Sequence, residues 1–346
     1  MKTAPELYVT NFNRNFTGVS ATIAGVIQAQ SYDLRLVGEA LPGTPAPITK
    51  SEALLMSATR PADRDFSIWH VRRNTEMRAG IWARDVLRRP VKLVFTSAAQ
   101  RRHSAFPRWL ISRMDAVIAT TPEAAGFVPH VKAVVPHGVD TKRFCPSIDR
   151  SADWMKLGFG GARGVACVGR IRVEKGTDRF VETMLRVLPE HPDVTALVIG
   201  RAGARDHSFL ENLKQKVAAA GLSERLLFVG EIEGQRMPGI MRALSLLVPL
   251  PRYEGYGMTP LEGMASAVPF VASDTGYFSA FSAQGRGGLV IDADEAHAHV
   301  SALLAEPARL DALGQSARKL ACESYSIQTE ADGIAKVYEE LWAGDA

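Results

Sequence analysis

Two glutamates and two glycines in the C-terminal half of the chain are spaced in a way that suits a phosphorylated sugar as ligand. Gly255 and Gly257 remove side chains from the approach to a predicted helix start, so the backbone amides that follow are free to meet an anion. Glu254 lies beside that anion site, where a carboxylate is costly unless hydroxyl groups donate to it, and a sugar supplies such donors. Glu262 offers a second carboxylate for vicinal hydroxyls.

The same segment admits a purely structural interpretation of Glu262. Thr259 followed three residues later by Glu262 has the form of a capping box, and Pro260 stands where the first residue of a helix often does. A capping role explains neither the two glycines nor the carboxylate of Glu254. We therefore expect a binding site here and keep the capping role of Glu262 as the alternative.

Positive charge for a diphosphate is predicted at the end of an earlier strand of the same half. A β-branched run over residues 164–169 ends at Gly169, and Arg170 follows directly. Lys175 and Gly176 come just before a helical pattern. Ligands of open α/β sheets bind outside the carboxyl ends of the strands, so we expect Arg170 and Lys175 to lie near the two glutamates. These residues together predict a site for a nucleotide-diphosphate sugar.

Short β-branched runs alternate with helical patterns along the whole chain, which predicts an α/β fold with parallel sheets wrapped by helices. The alternation begins again after an irregular glycine-rich stretch, so we expect two Rossmann-like domains, residues 1–150 and residues 151–325, the second of which holds the nucleotide sugar. Residues 326–346 are predicted to form an amphipathic helix that packs back on the first domain. The predicted strands are Leu7–Phe12, Leu34–Val37, Ser67–Val71, Val91–Thr96, Ala116–Ala119, Ala133–Pro136, Gly164–Gly169, Thr195–Gly200, Leu226–Gly230, Leu246–Leu250, Pro269–Ser273 and Gly288–Ile291.

Composition is that of a globular protein, with 46% hydrophobic and 23% charged residues in a chain of 346. No run approaches the roughly 18 consecutive apolar residues of a membrane span, and the N-terminus lacks the apolar core of a signal peptide. We therefore expect a cytoplasmic protein. The cysteines Cys145, Cys167 and Cys322 show neither disulfide nor metal-ligand spacing, and we interpret them as buried thiols.

Positive charge is concentrated in the N-terminal half. Between Arg60 and Arg113 thirteen basic residues face four acidic ones, a local excess of +9, whereas the whole chain carries +4. A solvated face and a surface for an anionic lipid, or another anionic acceptor, both fit this segment. Nucleic acid is disfavoured as a partner because no basic motif with interleaved aromatic residues accompanies the charge.

Two motifs are set aside. Residues 158–164 have the look of a dinucleotide-binding fingerprint, but the third glycine is misplaced and the run precedes a strand instead of following one. Asp292 and Asp294 match the D-x-D pattern that holds a divalent ion in metal-dependent glycosyltransferases. They follow the last predicted strand, where a solvated acidic loop is the commoner explanation. We therefore expect neither a metal ion nor another cofactor.

Motifs spread over nearly the whole chain resemble those of retaining GT-B glycosyltransferases of family 4. The run E-G-Y-G-x-x-x-L-E-x-M-A from Glu254 to Ala265 resembles the family's glutamate pair, and Val168-Gly169-Arg170 with Lys175-Gly176 is similar to its phosphate-binding segment. Pro136-His137-Gly138-Val139-Asp140 resembles an interdomain segment of the family, with His137 at the position where the family usually has Asn. Asn15-Phe16-Thr17-Gly18-Val19 is similar to a glycine-rich loop. The resemblance implies two Rossmann-like domains that face a cleft, with a C-terminal helix that crosses back to the first.

The resemblance also implies roles for individual residues. Arg170 and Lys175 would bind the diphosphate, Glu262 the ribose and Glu254 the transferred sugar, so the catalytic residues would be Glu254, Arg170 and Lys175. Ile232 would pack against the base. The implied donor-binding set is Gly18, Gly169, Arg170, Lys175, Ile232, Glu254, Gly255, Tyr256, Gly257, Met258, Thr259 and Glu262. Many family members have a histidine directly after the fourth strand, whereas this chain continues Ser97-Ala98-Ala99-Gln100, so we assign no catalytic histidine.

Residues 68–74 and 95–103 resemble, more narrowly, bacterial lipopolysaccharide core mannosyltransferases. This implies transfer of mannose from GDP-mannose to a Kdo-containing lipid A precursor, an anionic glycolipid, by an enzyme bound peripherally at the cytoplasmic face of the inner membrane. Three alternatives stay open: a family 4 hexosyltransferase with another donor or acceptor, a GT-B nucleotide-sugar epimerase, and a non-catalytic glycolipid-binding protein. The acceptor-side candidates are His70, Arg72, Arg73, Arg101, Arg102 and His103.

Overall fold

The computed structural model describes residues 4–15, 17–99 and 101–344, which fold into two units. The first unit comprises Met1–Gly138 together with Ile327–Ala346, and the second comprises Val139–Ser326. Each unit contains one parallel sheet of six strands with helices packed against it. The α/β class and the two Rossmann-like units predicted from the alternation of strand and helix patterns are therefore confirmed.

The first sheet consists of six strands, two of which are buried along their whole length. All residues of the strands Leu7–Asn11 and Ser67–Val71 are buried, as expected for parallel strands with helices on both faces. The strand order is β2-β1-β3-β4-β5-β6. The strands are β1 (Leu7–Asn11), β2 (Leu34–Gly38), β3 (Ser67–Val71), β4 (Val91–Ser97), β5 (Ala116–Ala119) and β6 (Val131–Val134).

Helices follow most strands of the first unit. The third of them, Asn74–Ile81, continues directly into a π-helical turn, Trp82–Val86. Buried side chains from this helix and from the helix after β4 share one core cluster on one face of the sheet. The helices are α1 (Gly18–Ala29), α2 (Lys50–Met56), α3 (Asn74–Ile81), α4 (Ala105–Ser112) and α5 (Pro122–Ala125).

The second sheet repeats this plan. Its order, β12-β11-β10-β7-β8-β9, reverses direction between β10 and β7, and ligands of such sheets bind at the carboxyl ends of the two strands at that point. The strands are β7 (Arg163–Val168), β8 (Val194–Ile199), β9 (Leu226–Gly230), β10 (Leu246–Leu247), β11 (Phe270–Ser273) and β12 (Gly288–Ile291).

Helices cover both faces of the second sheet, and each buries a stripe of apolar side chains. In the helix Thr177–Glu190 the buried residues include Phe180, Met184 and Val187, at the spacing of one helical face. The helices are α6 (Arg150–Leu157), α7 (Thr177–Glu190), α8 (His207–Ala219), α9 (Met237–Ala243), α10 (Met258–Ala265), α11 (Phe278–Ser282), α12 (Ala296–Ala305) and α13 (Pro307–Ser324). None of the helices in the described parts of the chain is both long and apolar enough to cross a membrane.

The glycine-rich stretch before β7 is a helix end and a turn. Gly158 ends α6 in the left-handed region, at φ +73°, and the Trp154 indole donates a hydrogen bond of 3.0 Å to the carbonyl of Gly160. Trp154 also lies where a side chain on Gly164 would have to be. These glycines thus serve local packing, in agreement with setting the dinucleotide motif aside.

The last helix, α14 (Ile327–Ala343), packs on the first unit through buried polar contacts as well as through its apolar face. Glu330 accepts a hydrogen bond from the amide of Gly138 and pairs with Nδ1 of His137, each at 2.8 Å. The hydroxyl of Tyr338 is hydrogen-bonded to His70. These contacts join the last helix to β3 and to the segment after β6.

His70 is a core residue and not the acceptor-side residue that the sequence analysis allowed. Its side chain is fully buried, and its second ring nitrogen lies 2.6 Å from the hydroxyl of Thr96. Burial, assisted by the nearby charge of Arg72, places the pKa of His70 well below its ordinary value. With both nitrogens engaged inside the fold, the imidazole has no surface to offer to an acceptor.

The second unit begins earlier than the boundary placed at residue 150. Val139 and Phe144 are buried in a core cluster of the second unit, and the amide of Val139 donates to the carbonyl of Tyr325 at 2.8 Å. The segment after Gly138 therefore belongs to the second unit by its packing, although its sequence has no strand or helix pattern.

Candidate functional site

The predicted donor residues of the second unit are carried by loops at the carboxyl ends of two neighbouring strands. β7 pairs directly with β10, with Val165 opposite Leu246 and Ala166 opposite Leu247. The loop after β7 carries Arg170 and Lys175, and the loop after β10 carries Glu254. The topology thus brings residues about 80 positions apart to the same edge of the sheet.

Gly176 is where the two loops touch. It has a φ of +66°, and a Cβ built on it would lie 1.8 Å from the carbonyl oxygen of Leu250. A side chain at this position would therefore force the loops apart as well as strain the backbone. Gly176 is also the N-cap of α7, directly before its first residue Thr177, so the helix is positioned by the same contact.

Arg252 clamps the two loops together around this contact. Its guanidinium binds both carboxylate oxygens of Asp178, at 2.7 and 2.8 Å, and donates to the carbonyl of Val173 at 2.7 Å. The amides of Arg252 and Tyr253 both donate to the carbonyl of Glu174. Burial raises the pKa of Asp178, but the hydrogen bonds from Arg252 outweigh this and the net shift is downward. The bidentate pair fixes orientation as well as distance.

Lys175 and Glu254, both predicted site residues, form an ion pair. The Lys175 ammonium lies 2.6 Å from Oε2 of Glu254, and Oε1 accepts a hydrogen bond of 2.8 Å from the amide of Gly255. Each side chain is about one-fifth exposed. Gly276 packs so closely against Glu254 that an added Cβ would lie 3.2 Å from the glutamate side chain. The carboxylate is therefore held in one place from three sides.

The N-cap of the helix after this loop is Gly257 and not Thr259. Gly257 is the N-cap, with a φ of +97°, and a Cβ there would overlap the ring of Phe278. α10 then starts at Met258, and no side chain caps it. Thr259 lies inside the helix, so the capping-box alternative for Glu262 is wrong. The amides at this helix start are oriented for an anion.

Glu262 is a mostly buried carboxylate whose oxygens accept no hydrogen bond from the described part of the chain. Burial raises its pKa to about 7, and the positive charge of Arg143 opposes the shift only in part. Arg143 itself donates to the carbonyl of Gly234. A buried carboxylate without donors is costly, and a pair of vicinal hydroxyls would supply them.

The remaining donor-binding candidates of the second unit lie around these loops. Ile232 is half-buried and packs against the core cluster that contains Tyr256, and Tyr256 stacks on Tyr277 with ring centroids 5.2 Å apart. Gly169, at the end of β7, has a φ of +152°. Arg170 is exposed and forms no ion pair or hydrogen bond with other described residues.

Gly18 and the acceptor-side candidates belong to the first unit. Gly18 is the first residue of α1, directly after the N-cap Thr17, and a Cβ added to it would meet no atom within 4 Å. Arg101 and Arg102 are exposed, while His103 is half-buried and its Nε2 has no partner among the described residues. Their neighbour Gln100 lies outside the described residues.

Arg73 is a structural residue and not a free acceptor-side cation. Its guanidinium forms a 2.9 Å ion pair with Glu76 and a 3.1 Å hydrogen bond with Asn11. Glu76 is completely buried and also accepts from Thr10 and from the amides of Phe12, Arg72 and Arg73. Arg72 is half-buried, burial lowers its pKa, and its Nη1 has no partner among the described residues. The unpartnered Nη1 of Arg72 is thus a buried atom, and neither arginine presents a free guanidinium at the surface.

Asp292 acts within its own turn. Its carboxylate accepts a hydrogen bond of 3.1 Å from the amide of Asp294, at the start of a short 3-10 helix after β12. Within the described ranges, no group of three or more His, Cys, Asp or Glu side chains is arranged to hold a metal ion. The D-x-D pattern here has a local structural explanation.

Four residues of the site were missed by the sequence analysis: Arg143, Asp178, Arg252 and Gly276. Asp178 and Arg252 are 74 positions apart, and neither stands in a recognisable motif by itself. Arg252 does lie two residues before Glu254, and Asp178 three residues after Lys175. Charged residues that flank two predicted loops at the same sheet edge are the signal that could have found the pair.

Comparison with known proteins places this geometry in a family. Residues 156–320 match the family described as "Glycosyl transferases group 1". The chain is 41% identical over 345 residues to the lipopolysaccharide core biosynthesis mannosyltransferase LpsB of Rhizobium meliloti strain 1021, covering 97% of both chains. It is 40% identical to LpcC, of the same description, from Rhizobium leguminosarum bv. viciae, covering 97% of this chain and 96% of that protein.

Structural comparison agrees on the fold. The crystal structure of Anabaena Alr3699/HepE in complex with UDP superposes with a TM-score of 0.81 at 16% identity, covering 97% of this chain and 100% of that one. Two Rossmann-like units, with paired loops at the carboxyl edge of the second sheet, define a GT-B glycosyltransferase. The chain belongs to the group 1 glycosyltransferases, in the family that includes LpsB and LpcC.

The raised pKa of Glu262 makes a prediction about stability. Its folded-state pKa, about 7, lies above the ordinary value of 4.5, so the folded state loses stability as pH rises through this interval. Glu262→Gln should therefore raise the melting temperature above that of the parent at pH 8 but not at pH 4.5. The difference in unfolding free energy between the two pH values should be on the order of 3 kcal/mol at most.

Thermal denaturation at both pH values measures this effect, with the exposed Glu224→Gln as the control that should show no pH-dependent difference. An equal change in melting temperature for Glu262→Gln at both pH values would contradict the raised pKa.

The clamp makes a second prediction, tested by a double-mutant cycle on Arg252→Ala and Asp178→Ala. Because the pair is bidentate but partly exposed, we expect a coupling energy of about 0.5–1 kcal/mol in unfolding. The single variants should also weaken binding of a nucleoside diphosphate about tenfold, since a loosened loop contact displaces Lys175 from Glu254.

Calorimetric titration and thermal melts provide both readouts. Arg252→Lys keeps the charge but not the fork of hydrogen bonds, so it should behave like Arg252→Ala. Additive effects in both measurements would show that the two loops are independent.

Proposed function

We propose that this chain is a retaining, metal-independent mannosyltransferase that transfers mannose from GDP-mannose to an anionic glycolipid of the lipopolysaccharide core, of the Kdo-lipid A type. The observation that carries the proposal is the Lys175–Glu254 pair, set beside an uncapped helix start at the carboxyl edge of the second sheet. The described function of the two relatives that match over nearly the full length supports mannose and the lipopolysaccharide core.

The diphosphate would be bound by three sources of positive charge. Arg170 is exposed and free of ion pairs among the described residues, Lys175 is held by Glu254, and the amides at the start of α10 add the positive end of a helix dipole. Since Glu254 already occupies one proton of the Lys175 ammonium, the other two remain for phosphate oxygens. This arrangement favours a doubly charged leaving group.

The two glutamates would accept hydrogen bonds from hydroxyl groups of the donor. Glu262, buried and without donors of its own, suits the vicinal hydroxyls of a ribose. Glu254, anchored by Lys175 and by the amide of Gly255, suits the hydroxyls of the transferred sugar. Ile232 offers an apolar surface to the base. Glu254 stands on the loop after β10 and Glu262 on α10, which follows it, so each would bind one end of the nucleotide sugar.

The chemistry then depends on stabilising the departing diphosphate. The bond between the sugar anomeric carbon and the phosphate oxygen breaks, and the acceptor hydroxyl forms the new bond on the same face. Its proton passes to the departing phosphate oxygen. Arg170, Lys175 and the α10 amides would stabilise the charge that develops on the leaving group, and each such donor typically contributes about 3–4 kcal/mol.

The first unit would bind the acceptor. Arg101 and Arg102 offer exposed charge, whereas the unpartnered Nη1 of Arg72 is buried. A lipid-linked anionic acceptor lies at a membrane surface, so we further propose that the enzyme is cytoplasmic and attaches peripherally to the inner membrane. Exposed basic residues supply salt-sensitive attraction to such a surface.

A donor panel tests the proposed reaction. GDP-mannose, UDP-glucose and other nucleotide sugars are incubated with the protein and a Kdo-lipid A acceptor, and release of the nucleoside diphosphate is followed together with product mass. We expect turnover with GDP-mannose and retention of the anomeric configuration in the product. Arg170→Ala should lower kcat/KM for the donor by more than about tenfold, because its charge is no longer available to the leaving group.

The melting temperature of Arg170→Ala should equal that of the parent, since Arg170 makes no contact that stabilises the described fold. Arg186→Ala, an exposed arginine on α7, is the matched control and should keep full activity. Epimerised donor without transfer, or binding without turnover, would replace the proposal by an epimerase or a binding protein.

Metal independence is tested separately by chelation. The cationic side chains at the diphosphate site provide the charge that a divalent ion provides in other glycosyltransferases, so we expect transfer to continue in excess EDTA. Loss of transfer with EDTA and its return on adding magnesium or manganese would reject this part of the proposal. Asp292 and Asp294 would then be the first candidates for metal ligands.

A further inference from the structure

Five large apolar side chains stand exposed on two neighbouring helical segments of the first unit. Trp82, Val86, Phe106 and Trp109 are each more than half exposed, and Leu87 is 37% exposed. Phe106 and Trp109 stack on each other with ring centroids 6.2 Å apart. We call these five residues the aromatic face. Exposure of this much aromatic surface in one region is unusual for a solvated face and marks a contact surface.

The aromatic face is one surface because its two segments pack side by side. Buried residues of both, among them Met77 and Ala83 on one and Leu110 and Ile111 on the other, enter the same core cluster on the same side of the sheet. Arg113, at the end of α4, forms a 2.8 Å ion pair with Asp85 of the π-helical turn. The outward side chains of the two segments therefore point away from a common core.

The charge around the aromatic face is strongly positive. Between residues 77 and 115 the sequence has nine basic and two acidic residues. Both acids, Asp85 and Asp115, are bound to arginines. Apart from Arg113, which pairs with Asp85, the exposed arginines of this stretch have no ion pair within the described ranges; they are Arg78, Arg88, Arg101 and Arg102. Exposed tryptophans surrounded by unpaired arginines fit the interface of an anionic bilayer, where indole rings enter the headgroup region and arginines meet lipid phosphates.

We propose that the aromatic face docks on the surface of an anionic phospholipid bilayer, with Trp82, Phe106 and Trp109 inserted at headgroup depth. The proposal deepens the proposed function, because an acceptor anchored in such a bilayer would be met there. A second copy of the chain fits the face less well. A two-fold interface would bring the like-charged arginines of both copies together, and five side chains are few for an interface of about 800 Å² per partner.

The test uses vesicles of phosphatidylcholine, with and without about 30% phosphatidylglycerol, and neither acceptor nor donor. We expect the parent to bind the anionic vesicles and to leave the neutral ones largely free. Phe106→Ser/Trp109→Ser and, separately, Trp82→Ser/Val86→Ser should each reduce the partition coefficient about tenfold or more. Ile148→Ser/Met155→Ser removes apolar side chains of the second unit that are even more exposed, and it should bind like the parent.

Two further experiments distinguish electrostatic attraction to the vesicles from insertion of the tryptophans into them. Arg101→Gln/Arg102→Gln should weaken binding at low salt and lose that difference at high salt. Brominated lipids should quench tryptophan emission in the parent, and Trp82→Phe and Trp109→Phe should each reduce that quenching, whereas the buried Trp69 and Trp154 do not contribute.

Unchanged vesicle binding by both serine double variants, with melting temperatures equal to that of the parent, would overturn the proposal. A concentration-dependent dimer that these variants abolish would also overturn it, in favour of an interface between copies. Because the vesicles hold no glycolipid acceptor, failure of the proposed mannosyl transfer would leave this result unaffected.

Discussion

The contact between Gly176 and the carbonyl of Leu250 is the constraint on which the donor site depends. Topology brings the loops after β7 and β10 to one edge of the sheet, and there a Cβ on Gly176 would collide with the carbonyl oxygen of Leu250. Because glycine has no Cβ, the two loops can be in contact, and the neighbouring Lys175 lies 2.6 Å from Glu254. Arg252 and Asp178 then join the two loops by a rigid fork of hydrogen bonds, and the start of α7 is fixed at the same point. A chain of short-range contacts thus converts sheet topology into a defined arrangement of charges.

The charges of this site divide into those that are balanced within the protein and those that are not. Lys175 is paired with Glu254, and Arg252 with Asp178. Arg170 and Glu262 lack such partners among the described residues, and burial has already moved the pKa of Glu262 to about 7. The buried, donor-poor carboxylate of Glu262 is a cost to the folded protein that vicinal hydroxyls would relieve, whereas the exposed Arg170 is solvated and remains available to phosphates. Local instability of this kind is expected at binding sites, where residues are selected for the ligand and not for the free fold.

The strands could be predicted from sequence because each is a short apolar run between turn residues, and each of the twelve predicted runs overlaps an observed strand. The start of α10 could not, because it depends on Gly257 adopting a φ of +97°, and the Thr259–Glu262 spacing indicates a cap that the backbone never forms. The pairing of Arg252 with Asp178 could not be predicted from sequence for another reason. Their pairing is a property of the loop contact, and side-chain pairs between distant segments leave no periodic pattern in a single sequence.

The net charge of a segment does not show how much of that charge is free at the surface, because some basic residues are paired with carboxylates in the folded structure. The excess of +9 between Arg60 and Arg113 divides into two groups of arginines with different surroundings. One group meets carboxylates: Arg73 binds the buried Glu76, and Arg84, with Arg113, holds the pKa of Asp85 at about 2. These arginines fix helices and contribute little to the field outside. The other group, around the aromatic face, has no carboxylate partner in the described part of the chain, so its charge stays on the surface. The positive potential of the first unit is therefore concentrated where the exposed tryptophans are, and attraction and apolar contact act at the same place.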